Sequence, residues 1–196
     1  MVTDQVHYTQ NVYRDVLNAM SRPGDIVCLV EADSSFAKTF NCFRATSSLL
    51  FTLLDHDVTY HLISDDSVNM STMITAYTLA RHVPVEEADF IIVLMDAQES
   101  EVEHALKTCK VGTLRDPHLS ATWIVETEPL QLGKEIKLTG PGIETETLLQ
   151  VQLAQTFWDI RKERLSEFPL GLDIIFTNRR NEVLCMPRTT IVEKVG

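Results

Sequence analysis

The sequence predicts an α/β fold: one domain over residues 1–196, with a mixed sheet flanked by helices. Three observations lead there. Helical periodicity alternates with short β-branched runs along the first two thirds of the chain. Asp89 to Met95 is a near-continuous apolar run, as a strand covered on both faces would be. Strand-like runs then follow one another toward the end, so the sheet mixes directions.

Tyr13, Val16, Leu17 and Met20 follow the i, i+3, i+4, i+7 spacing of an amphipathic helix. Arg22 precedes proline and is biased out of the helical region. Pro23-Gly24 fits the centre of a type II turn, where proline presets φ and glycine accepts a positive one. Asp25 to Val30 reads as a strand. Asn41 is placed to cap a second helix reaching about Asp55. Its stretch Ser47 to Leu54 is apolar around most of its circumference, which means burial on several sides or an interface.

Val58 to Ile63 reads as a strand. Ser67 or Asn69 starts a third helix reaching about Arg81. After the apolar run come a helix over Glu99 to Lys107 and a loop holding Gly112 and Pro117. Ala121 to Glu126 and Lys134 to Thr139 read as strands, and Gly140-Pro141-Gly142 repeats the Pro-Gly turn chemistry. Leu148 to Leu165 is expected to be a helix. Leu172 to Thr177 and Val183 to Met186 are expected to form a hairpin around the polar turn Asn178 to Asn181.

The chain is long enough to bury roughly 70% of its unfolded surface without staples. Its net charge of −11 disfavours nucleic acid and acidic membrane surfaces as partners. No stretch reaches the ~18 apolar residues that span a bilayer, and the N-terminus has no basic and apolar leader pattern. A cytoplasmic location follows as the expectation. The four cysteines form no Cys-x-x-Cys pair, and Cys28, Cys42 and Cys185 read as small core side chains.

Motifs for chemistry are sparse. Asp55, His56, Asp57 and His61 offer metal-type ligands, but across a helix-to-strand transition, where a polar turn explains them. His104 lies on a charged helix face, and His118 follows Pro117 in a loop. There is no nucleophile elbow, Walker loop or His-Glu-x-x-His helix. Gly140-Pro141-Gly142 is no phosphate cradle, since Pro141 lacks an N–H. No lysine sits in the glycine- or serine-rich setting that pyridoxal phosphate requires. Neither a cofactor nor a metal is expected.

Arg161-Lys162-Glu163-Arg164 and Asn178-Arg179-Arg180-Asn181 read as solvated basic surface. Arg188 differs, because it follows a strand and precedes Thr189 and Thr190. A guanidinium beside two hydroxyls can take a carboxylate or phosphate in two-pronged fashion. The competing reading pairs Arg188 with Asp173 or a helix C-terminus and makes it a clasp on the final strand.

Several blocks, in order, resemble one family. They are Tyr13 to Gly24, Ala45 to Leu50, Thr52 to Asp55, Gly112-Thr113 with Pro117 and Ala121-Thr122, Leu138 to Ile143, Phe168 to Asp173, and Pro187 to Thr190. The resemblance is to PhnH, the H component of the bacterial carbon–phosphorus lyase core complex of phosphonate metabolism. It implies a fold like the large domain of pyridoxal-phosphate transferases, without the cofactor site. It implies a homodimer and assembly with subunits G, I and J. It further implies a part, with the G and I components, in making α-D-ribose 1-methylphosphonate 5-triphosphate, as a phosphonate displaces adenine from ATP. A radical iron–sulfur subunit later cleaves the carbon–phosphorus bond. The expected role is a scaffold without turnover of its own. The alternative is a nucleotide- or phosphonate-binding domain using Arg188, Thr189 and Thr190, with Asp173 nearby. No catalytic role transfers to any position. The loop Arg115-Asp116-Pro117-His118 departs from the relatives, which often carry a Pro-Glu pair there.

Overall fold

A computed structural model of the chain describes residues 2–30, 40–164 and 168–195. Its elements run α1 (Val2–Ser21), β1 (Ile26–Cys28), α2 (Arg44–Leu53), β2 (Thr59–Ile63), α3 (Ser67–Thr78), β3 (Arg81–His82), β4 (Phe90–Val93) and α4 (Glu99–Thr108). A short 3-10 turn at Pro117–Leu119 leads to β5 (Thr122–Glu126), β6 (Leu130–Thr139), β7 (Thr147–Val151), α5 (Gln155–Arg164), β8 (Asp173–Thr177), β9 (Glu182–Met186) and β10 (Ile191–Lys194).

Seven strands form one sheet in the order β1-β9-β8-β5-β4-β2-β3. β3, β2, β4, β5 and β8 are parallel. At one edge β9 pairs antiparallel with β8, and β1 pairs antiparallel with β9, so that β1 runs with the parallel set. The expected mixed direction is therefore present. A second, antiparallel sheet has the order β10-β6-β7.

β4 shows why the Asp89 to Met95 run lacks a polar side. Ile91 and Val93 pack with α4, α5 and the small sheet, whereas Ile92 and Leu94 pack with α1, α2 and α3. Successive side chains point to opposite faces, and both faces are covered. Among the described residues, no helix is long and apolar enough to cross a membrane.

α1 forms as expected but buries a neighbouring stripe. Val12, Val16 and Ala19 are in the core, while Tyr13 and Leu17 are 49% and 50% exposed. Both stripes have helical spacing. Packing on α2 and β9 selects the one that carries the small Ala19. In α2 six consecutive residues, Ala45 to Leu50, are buried, so its apolar circumference reflects the core. Its N-cap is Phe43, not Asn41, and no side chain of its own caps it.

Four further expectations change. The stretch from Leu148 is β7 followed by α5, and Leu165 lies outside the described residues. Leu149 and Val151 point inward from β7 in strand alternation, paired with β6. This cross-strand pairing overrides the helix propensity of leucine and glutamine. α3 ends at Thr78, where Leu79 takes a left-handed conformation with φ 65°, and Arg81–His82 joins the sheet edge. β10 lies beyond the last expected strand and pairs with β6. Cys28 is exposed on the edge strand β1, not buried; Cys109 and Cys185 are buried, and all four thiols are free.

The two Pro-Gly turns form as expected and abut each other. Gly24 has φ 96°, and the Asp25 N–H donates to the Arg22 carbonyl at 3.1 Å. Gly142 has φ 85°, and a Cβ there would stand 2.5 Å from the Ser21 carbonyl oxygen. The second turn can lie on the first only because position 142 has no side chain.

Candidate functional site

β8 and β9 form the expected hairpin, with Arg179 and Arg180 exposed at its tip. Its open end brings Asp173, the first residue of β8, beside Pro187 to Thr190. Asp173 accepts the backbone N–H of Arg188 at 2.8 Å and its Nε–H at 3.3 Å. The second carboxylate oxygen pairs with Nη2, and Nη1 donates to the Pro117 carbonyl. Arg188 thus ties three segments together: the start of β8, the end of β9 and the loop before β5. Every donor-bearing nitrogen of its guanidinium is engaged. The clasp reading of Arg188 is the one this geometry matches.

Thr189 is half-buried and Thr190 is 1% exposed. The Thr190 N–H closes a turn to the Pro187 carbonyl at 2.9 Å, but its hydroxyl has no partner among the described residues. Thr189, Thr190 and Arg188 line a cavity of about 590 Å³ with Trp158, Arg161, Lys162 and Phe168.

By sequence Arg161 is expected on a solvated surface, as are Asn178 and Asn181, which are 1% and 7% exposed. Arg161 itself is 2% exposed. Nη1 donates to the Thr190 carbonyl and Nη2 to the Pro187 carbonyl, both at 3.2 Å, and Nε has no partner among the described residues. Burial lowers its pKa to about 10, opposed by the charge of Asp173, so it remains a cation at neutral pH. Part of the signal was present in the sequence. Phe157 lies four residues earlier on the same helix, is itself buried, and fixes the face on which Arg161 falls.

A second buried charge sits at the opposite end of the sheet, where β4 and β5 finish. Glu126 accepts the Phe43 N–H at 2.6 Å, the Thr46 hydroxyl at 2.8 Å and the Met95 N–H at 3.2 Å. Thr46 also meets the Thr177 hydroxyl at 2.8 Å. The carboxylate thereby caps α2 from outside the helix, where the backbone dipole favours negative charge. Burial pushes its pKa up, the three donors pull it down, and Asp96 adds a smaller upward push. Glu126 borders a mostly apolar cavity of about 290 Å³ with Met95, Leu153 and Phe157.

The other candidates fall into separate places. Asp55, His56 and Asp57 form an exposed turn in which the Asp57 N–H donates to Asp55 Oδ1 at 2.9 Å. His61 is turned away from them, with Nδ1 at 2.8 Å from the Val83 carbonyl and its ring stacked on His82. His104, exposed on α4, lines a cavity of about 410 Å³ with His61 and His82, and His118 is exposed in the loop before β5.

Several of the sequence blocks thus meet in space. The turns at Arg22 to Asp25 and Gly140 to Ile143 interlock, and Pro141 lines the same cavity as Arg188 to Thr190. Residues 1–193 match the family described as "Bacterial phosphonate metabolism protein (PhnH)". The chain belongs to the PhnH family. It is 31% identical over 193 residues to the "Putative C-P lyase subunit protein HtxG" of Stutzerimonas stutzeri, covering 95% of this chain and 87% of that one. It is 28% identical over 194 residues to the "Alpha-D-ribose 1-methylphosphonate 5-triphosphate synthase subunit PhnH" of Rhizobium meliloti (strain 1021), covering 97% and 93%. The PhnH match spans both sheets and both ends of the large one, so it applies to the whole described fold.

Proposed function

We propose that this chain is a subunit of a carbon–phosphorus lyase system in phosphonate catabolism. In this reading it contributes with the G and I components to α-D-ribose 1-methylphosphonate 5-triphosphate synthesis, in which a phosphonate displaces adenine from ATP. The observation that carries the proposal is the near-full-length match to two relatives with those names, within a family match to residues 1–193. The proposed setting is cytoplasmic, as one domain, with the G, I and J components as partners and a homodimer within the assembly.

The surface supports a scaffold role. Val6, Tyr13 and Leu17 follow i, i+7, i+11 spacing on α1 and are 48–50% exposed. Such a stripe on a helix already anchored by its other face suits a protein contact. The mixed seven-stranded sheet supports the reading as the large domain of a pyridoxal-phosphate transferase without the cofactor site. Co-expression with the G, I and J components, the G component carrying an affinity tag, tests the proposal. Retention of this chain through purification is expected. Its loss while the other three stay together would overturn the proposal.

A further inference from the structure

A guanidinium taken out of water is costly unless a counter-charge accompanies it. Arg161 has none in ion-pair contact among the described residues. Two carbonyl oxygens at 3.2 Å do not neutralise a full positive charge, and its Nε–H is unpartnered. Asp173, the acid whose field reaches it, is engaged by Arg188. The Thr190 hydroxyl, also unpartnered, is 1% exposed. Both residues line the same cavity of about 590 Å³. Lys162 stands on its wall. The acid there, Glu193, is held by Lys137 at 2.7 Å. Trp158, Phe168, Leu170 and Pro141 make the remaining wall apolar. The volume is in the range of small-ligand pockets, which pair an apolar lining with a few convergent polar groups.

We infer that this cavity binds a small phosphorus oxyanion, a phosphate ester or an organophosphonate. Its oxygens take the donors of Arg161 and Thr190 with Lys162, and its organic part lies against Trp158 and Phe168. The positive charge and the free hydroxyl call for an oxyanion; the choice of phosphorus over carboxyl rests on the functional reading above. The residue that does the binding is Arg161, because the donors of Arg188 are committed to Asp173 and Pro117.

Isothermal titration of the purified full chain at low salt tests this, with inorganic phosphate, methylphosphonate, ATP and acetate as separate arms and thermal unfolding alongside. Saturable binding with a rise in Tm is expected in at least one phosphorus arm. Methylphosphonate or ATP would identify the source, and acetate should stay silent. Thr190→Val keeps the side-chain volume and removes the hydroxyl. It should weaken binding by at least ~10-fold, while the Tm of the free protein holds or rises, since a buried unpartnered hydroxyl is gone. Arg161→Met should abolish binding; if that variant fails to fold, Thr190→Val and Lys162→Gln decide the matter. Absence of binding in every phosphorus arm up to millimolar ligand would overturn the inference. So would Thr190→Val and Lys162→Gln variants that bind like the parent, or binding of acetate in place of phosphorus. Such a result would leave the co-purification outcome untouched. A chain that binds an oxyanion but fails to assemble would sink only the functional reading.

Discussion

Arg188 and Asp173 are both about one-fifth exposed, so their attraction is screened less than that of a surface pair. Because they join a strand start, a strand end and a loop, their effects should not add. A double-mutant cycle with Arg188→Ala and Asp173→Ala, followed by urea denaturation, should give a coupling of roughly 1–3 kcal/mol. A coupling near zero would remove Arg188 from its role as clasp. Glu126 contributes to the pH dependence of stability. Burial holds its carboxyl above the ordinary value of 4.5. An acid shifted upward gives stability that is complete below the unfolded pKa and is lost as pH rises through the folded one. Glu126→Gln removes that loss, so its stability should fall less steeply above about pH 4.5. Near neutrality the variant should be weaker by about 1–3 kcal/mol, since an amide NH₂ cannot accept the Met95 N–H. Parallel pH–stability curves for parent and variant would assign the dependence to another group.

At the scale of elements, the two Pro-Gly turns act as one joint. Any side chain at position 142 meets both a positive φ and the Ser21 carbonyl. Gly142→Ala should therefore cost about 2–3 kcal/mol in chemical denaturation. A loss no larger than that of an ordinary exposed loop substitution would mean that the turns separate freely. On α1, the buried and exposed stripes divide the work. Leu17→Glu changes the half-exposed stripe and should move stability by no more than about 0.5 kcal/mol, yet weaken retention by the tagged complex. Full retention would place the assembly contact elsewhere.

At the scale of the molecule, the large sheet separates two cores. β5 lies between β4 and β8 and contributes to both: Trp123 and Val125 to one face, Ile124 to the other. The small sheet has no core of its own, because Leu138, Leu149 and Val151 pack into the same cluster as Trp123. Trp123→Ala should thus destabilise the whole chain by about 3–5 kcal/mol. Trp158 fluorescence and far-UV circular dichroism should report one coincident transition. Two separated transitions would divide the chain into independently stable parts.

By itself the sequence determined the large sheet's main strands, the β8–β9 hairpin, both Pro-Gly turns and the family. Each depends on local pattern: period-two or continuous apolar runs, turn chemistry at fixed positions, and ordered blocks of residues. Only the tertiary structure decided which stripe of α1 is buried, that Leu148 to Val151 is a strand, and that Arg161 is sealed inside while Arg188 is spent on Asp173. Those outcomes depend on what lies across from each residue. A basic run reads the same in water as in a core until Phe157 fixes the helix phase and Pro187 to Thr190 close over it. The oxyanion inference therefore moves from the arginine that the sequence marks to the one that has no counter-charge in ion-pair contact among the described residues.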